Sequence, residues 1–124
     1  MTKTLLTSAF LLFIMTSCNY SDKDDYNNTC NVSNPIEDLS WLKDKILELE
    51  QTSLYESGEI YISQANYNGN TIFIMGNCCA VCNTIVPIYN CKGESIGYIG
   101  DDTFDSTILE KDVIIWKPEN FICN

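Results

Sequence analysis

The sequence predicts an α+β domain, in which one N-terminal amphipathic helix packs on a four- to five-stranded antiparallel sheet held by disulfides. Three observations predict it. Apolar residues recur at Ile36, Leu39, Leu42, Ile46 and Leu49, the three-and-four spacing of one helix face. After Gly58 the pattern changes to short runs of β-branched and aromatic residues separated by the turn signals Asn68-Gly69 and Lys92-Gly93. Six cysteines, Cys30, Cys78, Cys79, Cys82, Cys91 and Cys123, are spread over these segments. A helix followed by consecutive hairpins gives the α+β class.

Each element has a local cause. Asn34 suits a helix cap, Pro35 suits the first helical position, where a missing N–H costs nothing, and Glu37 completes a box-like arrangement. Trp41 and Leu47 flank the apolar stripe, and Lys43, Asp44, Lys45, Glu48 and Glu50 take the solvated side. The helix should run to about Gln51, with Ser57-Gly58 in the following loop. Strands are expected over Glu59 to Tyr67 and Asn70 to Met75, joined by Asn68-Gly69, whose residues both tolerate positive φ. That register sets Ala65 opposite Ile72 and Ile62 opposite Met75. A third strand spans about Thr84 to Tyr89. Pro87 lacks a ladder donor, so this strand should lie at an edge or carry a bulge. Ser95 to Ile99 forms a fourth strand, Ser106 to Leu109 one helical turn, and Val113 to Trp116 a fifth strand stopped by Pro118.

The amino terminus has a different character. Lys3, an apolar stretch from Leu5 to Met15, and the small residues Thr16-Ser17 before Cys18 form the pattern of an export signal. With a cysteine at the cleavage point, it resembles a bacterial lipoprotein signal. That resemblance implies cleavage before Cys18 and lipidation of Cys18, with several acyl chains anchoring the protein to a membrane. An ordinary secreted protein, with Cys18 as one more disulfide cysteine, is the plainer alternative. The apolar stretch is short of the about 20 residues a spanning helix needs. The chain is thus read as residues 1–17 signal peptide, 18–33 lipidated flexible acidic tether, and 34–124 a single domain. Ser21-Asp22-Lys23-Asp24-Asp25 resembles the surface-export tether of Bacteroidota-type lipoproteins, which implies the outer membrane and display at the cell surface; a generic solvated linker has the same composition.

Removing 17 of 124 residues leaves 107, a chain small enough for cross-links to matter. Six cysteines in an exported chain read as up to three disulfides, with 15 connectivities open and the adjacent pair Cys78–Cys79 disfavoured by geometry. Seventeen acidic residues face seven basic ones, all lysine, for a net charge of −10. Such a surface repels phosphate backbones, so no nucleic-acid partner is expected. The chain has no histidine, which excludes a Ser-His-Asp triad, a Cys-His pair and a histidine-bearing zinc site.

Few constellations remain that could carry chemistry. Cys79-x-x-Cys82 has the spacing of a thiol-redox motif or half a zinc site, but the usual second pair is missing and no βαβ context surrounds it, so structural disulfides are favoured. Asp101, Asp102 and Asp105 form a candidate binding loop of oxygen ligands, but their spacing matches no calcium loop; acidic loop residues with Asp105 capping a short turn is the favoured reading, and no metal or cofactor is expected. The tyrosines, Trp41 and Trp116 fit core and cross-strand packing better than a recognition patch.

Asn34-Pro35-Ile36-Glu37-Asp38-Leu39 with Trp41-Leu42-Lys43, then Cys78-Cys79, Tyr89-Asn90-Cys91-Lys92-Gly93 and Ile115-Trp116-Lys117 resemble a family of small Bacteroidota-type lipoproteins of unknown function. The resemblance covers most of residues 34–123 and implies export and architecture, with no catalytic residue to carry over. The functional expectation is a membrane-anchored, non-enzymatic binding module for a protein or glycan, inhibitor-like in one version. A thiol-disulfide oxidoreductase using Cys79 and Cys82, and a structural envelope component, are the alternatives.

Overall fold

The computed structural model describes residues 29–124, so Cys18, the signal segment and most of the acidic tether lie outside the described residues. The described chain opens with a short 3₁₀ turn, Thr29–Asn31, and then three helices: α1 (Pro35–Asp38), α2 (Ser40–Leu49) and α3 (Ser53–Glu56). Five strands follow: β1 (Ile60–Tyr67), β2 (Asn70–Asn77), β3 (Pro87–Tyr89), β4 (Ser95–Tyr98) and β5 (Val113–Trp116). They form one antiparallel sheet in the order β4-β3-β2-β1-β5. A second 3₁₀ turn, Ser106–Glu110, lies between β4 and β5.

The single expected helix is broken. Leu39 takes an extended conformation (φ −93°, ψ 106°) and serves both as the end of α1 and the cap of α2. The box at the helix start also differs. The Asn34 N–H donates to the Asp38 carboxylate at 2.9 Å, the role expected of Glu37, while the Asn34 side chain caps nothing. Beyond Gln51 the chain makes one more helical turn because Thr52 caps it, its hydroxyl accepting from the Tyr55 N–H at 3.2 Å.

The first hairpin follows its local chemistry. Asn68 (φ 50°) and Gly69 (φ 80°) both lie in the left-handed region, which matches the turn to the strand twist. The register sets Ile62 opposite Met75 and Ala65 opposite Ile72, as the sequence predicts. The third strand is shorter than expected and lies inside the sheet rather than at its edge. Pro87 is accommodated because the β2 ladder reaches only Ile88 and Tyr89, leaving Pro87 opposite Tyr98 of β4 alone. The bulge falls one step along, between Ile88 and Tyr89 on the β4 side.

Helices cover one face of the sheet. Leu42 and Ile46 pack with Ile62, Phe73 and Met75, and Trp41, Tyr89 and Trp116 border that cluster. The connection from β4 to β5 must run from one edge of the sheet to the other, and it covers the opposite face. Phe104 there is 3% exposed and packs with Ala65, Ile72, Ile74 and Ile88, with Ile108 and Leu109 beside it. Burial on both faces explains why β2 carries the unbroken apolar run Ile72-Phe73-Ile74-Met75 instead of an alternating one. Each of these fully buried side chains contributes about 1.5–3 kcal/mol.

Three disulfides complete the fold: Cys30–Cys91, Cys78–Cys123 and Cys79–Cys82, with Cα separations of 5.5, 5.7 and 5.3 Å. They span 61, 45 and 3 positions of chain. Loop closure alone assigns about 4 kcal/mol to each of the first two and about 2 kcal/mol to the third. Cys30 also packs against the helix-side core, so ordered structure begins before residue 34.

Gly93 offers a direct test of the helix–sheet contact. It has φ +79°, and a Cβ there would lie 2.6 Å from Cγ of Trp41. Gly69 has similar φ but open space around it. Gly93→Ala is expected to destabilise by about 2–4 kcal/mol and Gly69→Ala by about 1 kcal/mol, in denaturant titrations of the oxidised protein. Equal losses would show that Trp41 yields freely.

Candidate functional site

The acidic loop is committed to its own backbone. Asp101 accepts from the N–H groups of Tyr98 (3.0 Å), Thr103 (2.8 Å) and Phe104 (2.7 Å), closing the turn that inserts Phe104 into the core. These bonds, led by those from Tyr98 and Phe104, hold the Asp101 carboxyl below the ordinary carboxylate range. Asp105 caps the second 3₁₀ turn, accepting from the Thr107 hydroxyl and N–H, and is lowered for that reason. Asp102 is exposed beside them. Among the described residues no group of three or more acids, cysteines or histidines is arranged to hold a metal ion. The three aspartates are therefore not grouped as ligands of one metal ion; two of them shape the segment that covers the sheet.

A groove of about 440 Å³ lies at the hairpin-tip end of the sheet, walled by Tyr67, Ile72, Phe104, Ile96 and the Asn90–Lys92 turn. Its polar groups are largely paired with one another. Asn90 Oδ1 accepts from the N–H groups of Lys92 and Glu94 at 3.0 Å each, its amide donates to the Glu94 carboxylate, and the Tyr67 hydroxyl donates to the Thr103 carbonyl.

The opposite end of the sheet carries the remaining cysteines. Loop 78–86 leaves β2, enters β3, and contains no charged residue in a chain of net charge −10. Cys79 and Cys82 close a small ring in it, and Val81 inside that ring is 95% exposed. Ile85 further along is 70% exposed. Cys78 straps the C-terminal tail to the same loop through Cys123, so Ile122, also exposed, lies at this end. The tail is seated by the Ile122 N–H on the Gly58 carbonyl (3.0 Å), by the Asn120 amide on the Glu56 carbonyl (2.9 Å), and by Phe121 edge-on to Tyr61. Burial raises the Tyr61 phenol, with nearby Asp112 adding to it. No helix begins at Cys79; the next helical element along the chain is the 3₁₀ turn at Ser106–Glu110, so the pair does not sit in the first turn of a helix as thiol-redox pairs do.

The two ends of the sheet are tied to opposite ends of the described chain. Cys30 is bonded to Cys91 in the β3–β4 turn, beside the groove. Loop 78–86 lies at the far end of β2, eight residues and roughly 25 Å away. The signal for this loop in the sequence was the dense cysteine cluster; the exposure of Val81 and Ile85 had no sequence signal separable from that of a core strand.

Because the Asp101 and Asp105 carboxyls are lowered in the folded chain, their contribution to stability is present above the unfolded carboxyl range. It is lost as pH falls through their lowered values. Acid titration followed by amide exchange should show the Tyr98, Thr103, Phe104 and Thr107 amides losing protection in that window. In Asp101→Asn the Tyr98 amide should already exchange faster at neutral pH, since an Asn side chain has only one accepting oxygen. Protection unchanged by either perturbation would remove the assigned role.

No family model matches the chain, and neither the curated proteins nor the solved structures contain one similar to it.

Proposed function

We propose that this chain is an exported lipoprotein, anchored through Cys18, that binds a partner protein by the stapled loop 78–86. The observation that carries the binding reading is Val81, held almost fully in solvent by the Cys79–Cys82 ring. The ring pre-orders the residue it exposes, and a pre-ordered loop loses little freedom on binding. Ile85 in the same loop and Ile122 in the tail that Cys123 ties to it are also exposed, while the chain as a whole is strongly acidic. The matching surface is an apolar pocket with a basic rim. This is the inhibitor-like geometry, in which a rigid loop enters a cleft.

The anchor reading rests on the sequence: an apolar stretch, Thr16-Ser17, and a cysteine followed by an acidic run. In this reading helix α1 is the first regular element of the mature domain. The Cys30–Cys91 bridge supports the orientation, because it fastens the tether to one end of the sheet and leaves loop 78–86 at the membrane-distal end. The acidic run resembles a surface-export tether, which supports the outer face of an outer membrane as the location.

Two experiments on the full chain test these statements. Cys18→Ala should move the protein from the membrane to the soluble fraction of a bacterial host and abolish its labelling by fatty acid; retention in the membrane with unchanged labelling would refute the anchor. A photo-crosslinking residue at Val81 should give a discrete adduct with a protein that the same probe at Asn68, at the opposite end, does not. Val81→Asp with Ile85→Asp should weaken that protein's binding tenfold or more. Equal crosslinking from both ends, or unchanged affinity in the double variant, would refute the loop as the binding surface.

A further inference from the structure

The three disulfides are not equivalent, and the difference points to a site of chemistry. Cys30–Cys91 and Cys78–Cys123 join parts of the chain 61 and 45 positions apart, which only the folded state brings together. Around the first, Cys30 packs on the core and the Trp41 indole N–H donates to the Cys91 carbonyl at 2.9 Å. Around the second, the Cys78 N–H donates to the Glu59 carbonyl at 2.9 Å and the tail is held at Gly58 and Glu56. The fold therefore supplies most of the effective concentration that keeps these two pairs oxidised.

Cys79–Cys82 closes over three positions and gains little from the fold, since the two sulfurs are neighbours in the unfolded chain as well. By linkage, a bridge that contributes least to folding is the one that folding protects least. Its surroundings agree. The ring lies in a connection with no helix or strand, and the hydrogen bonds of its own amides are local and long, 3.3 Å from Cys79 to Asn77 Oδ1 and 3.4 Å from Cys82 to the Cys79 carbonyl. Accessibility does not separate the three bridges, since five of the six cysteines are half-buried and Cys78 is exposed, so the distinction rests on the short span and the local hydrogen bonding of the ring.

We propose that Cys79–Cys82 is a thiol–disulfide exchange site, opened by dithiol reductants while the other two bridges keep the fold intact. A reductant thiolate attacks one sulfur of the pair, forming a mixed disulfide, and the other sulfur leaves as a thiolate that takes up a proton. The second thiol of the reductant then attacks its own sulfur in the mixed disulfide and releases the second cysteine thiol. Two electrons pass from the dithiol, which ends as a disulfide, to the protein, which ends with two thiols. The inference holds whether or not the loop binds a protein, because it concerns only the bond that sets the loop's shape.

The test is graded reduction of the oxidised full chain with dithiothreitol, trapping free thiols by alkylation and locating them by peptide mass spectrometry. Cys79 and Cys82 should be alkylated together at a reductant concentration at least tenfold below that for the other four, with the near-ultraviolet circular dichroism unchanged. Alkylation of Cys30, Cys91, Cys78 or Cys123 at the same concentration, or loss of the tertiary signal as Cys79–Cys82 opens, would overturn the proposal. Cys79→Ser with Cys82→Ser provides the second reading. It should form the two remaining bridges and a cooperative thermal transition while losing the earliest alkylation step. Scrambled bridges or a collapsed transition in that variant would equally overturn it.

Discussion

The contact between Trp41 and the β3–β4 turn fixes how the helical layer sits on the sheet. The indole lies edge-on to Phe73 (5.4 Å between centroids, 74° between planes) and tilted over Tyr89 at 5.9 Å. Its N–H reaches the Cys91 carbonyl, and its ring fills the space that any side chain at position 93 would need. A helix of ten residues such as α2 is marginal by itself in water. Here it is held by an aromatic contact on the turn and, just upstream, by a covalent link from Cys30 to the same turn. Position, orientation and chain direction of the helical layer follow from these two ties, and the Leu42 and Ile46 face then buries against Ile62, Phe73 and Met75.

What could be read from the sequence was what local chemistry decides. The Asn68-Gly69 turn specifies its own backbone, and with it the pairing of the two longest strands, so the β1–β2 register was fully legible. The apolar stripe from Ile36 to Leu49 located the helical layer. The break at Leu39 had no local signal, because leucine is a good helix former and both halves keep their apolar face toward the core. Pro87 marked an edge or a bulge, and the strand carries the bulge; which of the two applies depends on how far β2 pairs, which is a tertiary fact. Disulfide connectivity is tertiary in the same sense.

The acidic segment after β4 shows the same limit in the candidate site. Asp101, Asp102 and Asp105 read as candidate oxygen ligands or, more plainly, as acidic loop residues with Asp105 capping a short turn, and the cap is present. In the structure two of the three serve their own backbone, and the lone aromatic among them, Phe104, is the residue that matters to the core. A buried aromatic inside a polar stretch was a signal of a covering segment, but it is one that gains meaning only once β4 and β5 are known to lie at opposite edges. The uncharged loop 78–86 at the other end of the sheet is shaped instead by covalent bonds, for it contains three of the cysteines that form the disulfides.

The Cys30–Cys91 bridge also decides how the molecule bears mechanical load. A pull on the chain upstream of residue 30, resisted at loop 78–86, is transmitted through the sulfur–sulfur bond into the β3–β4 turn and along β3. Helices α1 to α3 and the whole stretch between residues 31 and 59 lie off that path, as a slack loop in parallel with it. Tension that would otherwise peel the helical layer from the sheet, one weak contact at a time, is instead carried along the backbone of β3, which runs directly from loop 78–86 to Cys91.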